Sequence, residues 1–301
     1  IWIRNCSFFM NKDITAVIAI GGEGTRLKKI TGNIPKPLFP IEGISTLKRI
    51  LNELNKYKIK KILLTTCFKK EFFKEFLEIN KFALKEILIF EEKEPLGECG
   101  ALWNIRDQLT SETLFINGDL IFSMDFEKLF KFHKNTGADI TLVTHPSSHP
   151  EDSDMISSPN GTYVEKLFHK KRDPKKDPIK PILGYAGISF FKTSIIDELS
   201  SPIDEFQPSL FSFFVENAFK ESKRIFSYNT SEYIKDMGTE KRYEEVKLAI
   251  KKGTLKNKNY CSPQKALFID RDNTLIKCKP NNYILSINDI EFMEKNILQL
   301  A

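Results

Sequence analysis

Residues 16–40 read AVIAIGGEGTRLKKITGNIPKPLFP, and the fold of the chain turns on this stretch. The short apolar run Val17-Ile18-Ala19-Ile20 predicts a buried strand that runs straight into Gly21-Gly22-Glu23-Gly24-Thr25-Arg26-Leu27. Glycines directly after a strand let the backbone approach a ligand closely, and their N–H groups can cradle phosphate. Arg26 adds a planar fork of fixed charge, and Lys36 is held between Pro35 and Pro37, whose rings restrict the backbone. A glycine turn, an arginine and a restrained lysine together predict a triphosphate site. Two other glycine loops do not fit: the P-loop closes with Gly-Lys-Ser/Thr, and the dinucleotide fingerprint needs a third glycine where Leu27 stands.

Working outward, apolar periodicity alternates between strand and helix. A helix is expected over 45–57, with Leu47, Ile50, Leu51 and Leu54 on one face and Ser45 or Thr46 as cap. A strand follows at 61–66, a helix at 71–77 and a strand at 87–90. This alternation predicts an α/β architecture: a Rossmann-like, three-layer fold on a mostly parallel mixed sheet, with ligand at the carboxyl ends of the strands. Further strands are expected at 114–117, 139–144, 163–168 and 225–228, with another opening at Gly184-Tyr185-Ala186-Gly187-Ile188. Helices are expected over 207–219 and 240–251. Three turns carry possible chemistry. Pro95-Leu96-Gly97-Glu98-Cys99-Gly100-Ala101-Leu102 places two glycines at the entry to a helix, where a flat base could lie against backbone. Asn117-Gly118-Asp119 sets a carboxylate just beyond a strand end, pointing into the ligand crevice, and Asp236-Met237-Gly238-Thr239 offers a second one.

The chain has 301 residues, 41% hydrophobic and 29% charged, enough for one full α/β domain and something smaller. Its net charge of +6 is spread over scattered lysines, so nucleic acid is not indicated as a partner and an anionic small substrate accounts for the local basic residues. The five cysteines, Cys6, Cys67, Cys99, Cys261 and Cys278, form no CxxC pair, which predicts free thiols in a reducing compartment and no zinc site. No apolar run approaches the length of a membrane span, and residues 1–9 are too short and too interrupted for a signal peptide. Met10 then reads as a natural start, and a cytoplasmic location is expected. Oligomeric state is not visible in the sequence.

Gly-Gly-x-Gly-Thr-Arg-Leu followed by Pro-Lys-Pro resembles the signature of the sugar-1-phosphate nucleotidylyltransferases, the NDP-sugar pyrophosphorylases, and within them the heptose-1-phosphate guanylyltransferases. The resemblance extends in family order from about residue 14 to about residue 250. It implies that Gly21, Gly22, Gly24 and Thr25 bind nucleotide phosphates and that Pro95, Gly97 and Gly100 line the base pocket. It also implies that Asp119 and Asp236 hold Mg²⁺. Arg26 would stabilise the leaving pyrophosphate and Lys36 the α-phosphate. At Phe168-His169-Lys170 the chain departs from the family's Phe-x-Glu-Lys-Pro: His169 stands near the position of the glutamate that meets sugar hydroxyls, and the proline is missing. Lys170 is carried over as the contact to the sugar phosphate, and Gly187 as part of the sugar site, although Tyr185 stands where the family commonly has asparagine. Glu98 and Cys99 occupy variable positions and are given no role.

Residues 253–264 are rich in Lys and Asn and read as a linker after a nucleotidyltransferase domain at 10–252. Beyond it, Ala266-Leu267-Phe268-Ile269-Asp270-Arg271-Asp272-Asn273-Thr274 reads as an apolar strand ending in Asp-x-Asp-x-Thr. That pattern resembles the first motif of the haloacid dehalogenase-type phosphatases, with Asp270 as nucleophile and Asp272 as general acid/base. With Asn282-Tyr283-Ile284, it resembles the start of the heptose-bisphosphate phosphatases. Residues 265–301 are expected to be the opening of such a domain, without its later motifs, and no phosphatase activity is expected of this chain.

The resemblance implies transfer of a nucleotidyl group from an NTP to a sugar 1-phosphate, releasing pyrophosphate. The phosphatase-like segment points to D-glycero-α-D-manno-heptose 1-phosphate with GTP. Mannose or glucose 1-phosphate with GTP, UTP, dTTP or CTP stay open, as does a non-catalytic nucleotide-sugar sensor on the same fold.

Overall fold

A computed structural model describes residues 14–22, 24–57, 59, 61–83, 86–147, 150–151, 153–170, 183–199, 201–202, 208–263, 267–278, 284 and 286–299. Met10 and the segment before it, Glu23, Lys171 to Lys176, Gln207, Ala266, Asn282 and Tyr283 lie outside these residues. The chain divides into two compact units, Ile1–Ser262 and Pro263–Ala301.

The strands of the first unit are β1 (Ile14–Ala19), β2 (Pro40–Ile41), β3 (Ile44–Ser45), β4 (Lys61–Thr66), β5 (Glu86–Glu91), β6 (Glu112–Asn117) and β7 (Leu120–Ser123). They continue as β8 (Ile140–Pro146), β9 (Met155–Ser157), β10 (Lys166–Phe168), β11 (Leu183–Lys192), β12 (Ile225–Asn229) and β13 (Tyr233–Asp236). One large mixed sheet runs in the order β10-β9-β11-β6-β1-β4-β5, with β8 beside β11 and β12 beside β8. Strands β6, β1, β4 and β5 are mutually parallel; β11 enters antiparallel to both β6 and β8. β1 lies inside the sheet and is buried on both faces, which is why its sequence is a continuous apolar run without alternation. Ala16 and Ile18 pack into one core with the helix Thr46–Lys56, while Val17 faces a second core with Leu102, Phe191 and Phe214.

The helix at Thr46–Lys56 matches its periodicity. Ser45 caps it, its hydroxyl accepting from the Lys48 N–H, and Leu47, Ile50, Leu51 and Leu54 are buried. The expected helix over 207–219 is not a single α-helix: Leu210–Val215 winds as a π-helix before Glu216–Lys220 continues in α form. No strand is expected from the sequence at 233–236, but these residues form β13, which pairs with β7 in a separate two-stranded ribbon. A strand as short as this carries too little alternation to be read without its partner.

The composition at 253–262 suggests a linker, yet this stretch is fastened to the first unit. Thr254–Asn257 makes a helical turn after Gly253, the buried Asn259 donates to the Ser123 hydroxyl, and the Tyr260 N–H donates to Glu232. In the second unit the expected strand ahead of Asp270 is absent among the described residues. Leu267 to Asp270 are irregular, and Phe268 is 94% exposed. A strand forms only when a neighbour takes up its N–H and C=O groups, and the pairing described in this unit is limited to isolated bridges at Asp272–Ile276 and Ile276–Phe292. No helix among the described residues is long and apolar enough to cross a membrane.

Candidate functional site

The site lies at the carboxyl ends of β1, β4, β5 and β6. The Ile20 N–H still donates to the Thr65 carbonyl, so the chain leaves the sheet only at Gly21. A Cβ on Gly21 would stand 3.2 Å from the Cys67 nitrogen and 3.4 Å from Glu92 Oε1, which shows how closely the loop crosses the neighbouring strand ends. Gly24 takes a left-handed conformation (φ +66°) and opens the 3₁₀ turn Thr25–Leu27. Leu27 is buried and anchors that turn, leaving Arg26 exposed on the cavity side.

Asp119 owes its position to Gly118. The Gly118 N–H donates to the Ala19 carbonyl at 2.8 Å, and a Cβ here would meet that oxygen at 2.5 Å and Ile20 Cγ2 at 2.6 Å. Only glycine lets the chain pass this close to the end of β1. Asp119 then pairs with Lys36, Nζ to Oδ2 at 2.6 Å, from a 3₁₀ turn that begins after Pro35. The ribbon brings the second carboxylate in: Asp236 is opposite Leu120, and the Met237 N–H donates to the Asp119 carbonyl. Asp236 accepts from the Gly238 N–H at 2.6 Å and from Arg242 Nη1 at 3.0 and 3.1 Å. Burial opposes its charge, but Arg242, the Gly238 N–H and Lys36 outweigh that and hold its carboxyl below the usual range. A Cβ on Gly238 would lie 3.4 Å from both Arg26 and Arg242, so the two guanidinium groups flank this turn.

Two cavities open here. The first, of about 630 Å³, is lined by the glycine loop, Lys36, Glu92, Pro95, Gly97 and Gly118. The second, of about 910 Å³, is lined by Lys170, Gly187, Tyr185, Phe211, Asp236 and Arg242 among others. Arg26, Glu98, Asn117 and Asp119 line both and form the seam between them. Gly100 lines neither: its missing Cβ makes room for Leu96, whose own Cβ would be 2.8 Å away, so its part is to close the turn. Gly187 (φ +75°) sits where the pairing of β11 with β8 slips between Tyr185 and Ser189, in a bulge that a larger residue would fill against Asn117. Asp270 and Asp272 belong to the second unit; Asp270 is exposed and Asp272 partly buried, held by Arg271 at 2.6 Å.

Four participants escaped the sequence reading. Glu92 carries no sequence signal of its own, yet it is only 7% exposed. Its Oε2 accepts from the Leu96 N–H, and burial raises its carboxyl above the usual range. Asn117 has a buried Oδ1 with no hydrogen-bond partner among the described residues. Arg242 reads as one charge on an amphipathic helix, and Glu98 as a variable loop position. No local pattern marks any of them, because each is defined by what another segment brings beside it. The two carboxylates, each paired with a cation, offer the hard oxygen donors that Mg²⁺ prefers. Among the described residues no three His, Cys, Asp or Glu side chains cluster to hold a metal by themselves, so such an ion would share its shell with ligand oxygens.

The profile of the nucleotidyl transferase family matches residues 15–253. The mannose-1-phosphate guanylyltransferase of Mycobacterium tuberculosis is 28% identical over 233 residues, a match covering 75% of this chain and 61% of that protein. The D-glycero-alpha-D-manno-heptose 1-phosphate guanylyltransferase of Aneurinibacillus thermoaerophilus is 32% identical over 160 residues, 52% of this chain and 69% of that protein. Among solved structures, HddC from Yersinia pseudotuberculosis superposes with a TM-score of 0.65 at 22% identity, covering 78% of this chain and 99% of that one. The same protein complexed with GMP-PN gives 0.64.

Proposed function

The chain belongs to the nucleotidyl transferase family, and from there we propose that it is a sugar-1-phosphate nucleotidylyltransferase, with residues 10–252 as its catalytic domain. It transfers a nucleotidyl group from an NTP to a sugar 1-phosphate, yielding an NDP-sugar and pyrophosphate. The observation that carries this reading is the seam: a phosphate-suited cavity and a second polar cavity meet at Arg26, Glu98, Asn117 and Asp119.

In the reaction a sugar-phosphate oxygen attacks the α-phosphorus and pyrophosphate leaves in line. Two anions must meet, so catalysis rests on alignment and on neutralising charge. The glycine loop supplies backbone donors to the triphosphate. Arg26 takes the charge growing on pyrophosphate, Lys36 the α-phosphate, and Lys170 the incoming sugar phosphate. Asp119 and Asp236 would hold Mg²⁺, which would supply further neutralisation of phosphate charge. Lys36 and Arg242 are paired with these carboxylates.

GTP with D-glycero-α-D-manno-heptose 1-phosphate is the favoured pair. Glu92 supports the base: guanine offers two adjacent donors, N1–H and N2–H₂, to an acceptor-only carboxylate, whereas uracil and thymine flank one N–H with carbonyls. The heptose is supported by the Aneurinibacillus relative and by the phosphatase-like segment. The longer match to the mycobacterial relative supports mannose 1-phosphate as the second choice.

The test is pyrophosphate release in Mg²⁺ with each NTP against heptose, mannose and glucose 1-phosphates, and Asp119→Ala as control. Release with GTP and heptose 1-phosphate that the variant abolishes is the expected result. Nucleotide binding without release from any pair would replace the transferase by a nucleotide-sugar sensor.

A further inference from the structure

Glu98 lies at the start of the helix Gly97–Asn104, beside the base loop, yet its surroundings belong to the other cavity. It interacts electrostatically with Lys170, Asp119 and Asp154, and of these Lys170 and Asp154 line the second cavity and not the first. One of its oxygens is committed: Oε2 accepts from the Leu210 N–H at 2.7 Å. That bond ties the helix to the segment carrying Phe211, whose ring stacks on Tyr185 with centroids 5.5 Å apart. Tyr185 is fixed in turn by a bond between its hydroxyl and Ser189 Oγ at 2.9 Å. The second cavity therefore has an aromatic pair in its wall and, at the seam with the first, a carboxylate within electrostatic reach of the lysine assigned to the sugar phosphate.

A carboxylate is acceptor-only and has capacity for several hydrogen bonds, so the Leu210 N–H leaves most of it unused. Phosphate cannot take it up, because like charges repel. A base is better placed at Glu92, across the first cavity. Sugar hydroxyls are the donors that a nucleotide sugar brings to this end of the second cavity, and a charge-assisted O–H···O bond is among the stronger ones available. Resting on the transferase reading above, we propose that Glu98 is a specificity-determining residue that binds a hydroxyl of the sugar, in a chain that carries His169 and not glutamate at the sequence position where a sugar-binding carboxylate is expected. Asp154 accepts from the Lys170 backbone N–H at 2.8 Å and so anchors the main chain at that lysine.

The test compares GDP with GDP-mannose by titration calorimetry in Mg²⁺, for the wild type, Glu98→Gln and Glu98→Ala, alongside the turnover assay. Gln keeps an oxygen for the Leu210 N–H, so it preserves the strut and removes the charge. Glu98→Gln is expected to weaken GDP-mannose about tenfold, leaving GDP affinity and melting temperature at wild-type values. It should also raise the sugar 1-phosphate KM with little change in the KM for GTP. Equal affinities of Glu98→Gln and wild type for GDP-mannose, with turnover intact, overturn the role of Glu98 and leave the transferase standing. So does a loss confined to Glu98→Ala, which would make the residue a strut only. If the wild type neither binds GDP nor releases pyrophosphate, the functional reading itself fails and this inference falls with it.

Discussion

The two cavities are built by different means. The nucleotide-side rim is mostly main chain from a few continuous stretches, with glycines at 21, 24 and 118 making room for close approach. The sugar side is assembled from side chains on five or so separated segments, including His145, Asp154, Lys170, Tyr185, Phe211 and Arg242. Phosphate can be recognised by backbone N–H groups, and a backbone that must come close demands glycine at set positions. A sugar hydroxyl both donates and accepts, so many polar side chains can meet it from many directions. The first arrangement leaves a sharp trace in the sequence and the second a faint one.

The largest effect should come from the carboxylate that the ribbon brings in beside the seam. Asp236→Asn keeps the shape of the Asp236–Gly238 turn but gives up the charge offered to Mg²⁺, and pyrophosphate release should fall by at least about a hundredfold. Release at the wild-type rate would remove Asp236 from the metal site.

Backbone crowding supplies the next contrast. Gly118→Ala puts a methyl 2.5 Å from the Ala19 carbonyl and should destabilise the fold by about 3 kcal/mol in urea unfolding. Gly184→Ala, on the sugar side, meets the Ser147 Cβ at 3.2 Å and the Met155 Sδ at 3.4 Å, both on side chains that can give, and should cost less than about 1 kcal/mol. Equal costs would mean that the nucleotide rim is no more tightly determined than its neighbour.

The helix Phe126–Thr136, packed on the sheet, also carries an acid-sensitive group. His133 is buried against Phe190, with Nδ1 bonded to Thr141 Oγ1 at 2.8 Å and Nε2 without a partner among the described residues. Burial, reinforced by Lys192 and only partly opposed by Asp139, lowers its pKa to about 4. The unfolded chain takes up this proton near pH 6.5 and the folded one near 4, so stability falls as pH drops through that window, by up to about 3 kcal/mol. His133→Gln should flatten the melting temperature between pH 6.5 and 4.5. A slope that persists unchanged would assign the acid sensitivity to another group.

The smallest effect concerns base choice. Glu92→Gln should reduce the preference for GTP over UTP about tenfold while leaving the KM for sugar 1-phosphate unchanged. An unaltered preference would remove Glu92 from base recognition.

The outline of the fold was readable because β1, β4 and the helix Thr46–Lys56 are each long, strongly apolar and locally consistent, so their pattern admits one assignment. The ribbon of β7 and β13 was not readable, nor was the packed stretch at 254–260, since a polar composition says nothing of the partner that will bury it. Lys170 and the apolar run ahead of Asp270 show the same limit from opposite sides. Resemblance weakens at Lys170, yet the fold delivers it to the sugar-side cavity. At Asp270 the motif reads clearly, yet no described strand presents it.

By itself, then, the sequence determined the glycine loop, the buried central strand, the restrained Lys36 and the presence of two well-placed aspartates, because these depend on backbone conformation and short-range pattern. The tertiary structure alone decided that Asp236 lies beside Asp119, that Arg242 covers it, that Glu92 is buried and that Glu98 faces the second cavity. Each of those facts is a meeting of segments distant in the chain, where what counts is the energy of charges and hydrogen-bonding groups brought together out of water, and no local pattern encodes which groups those will be.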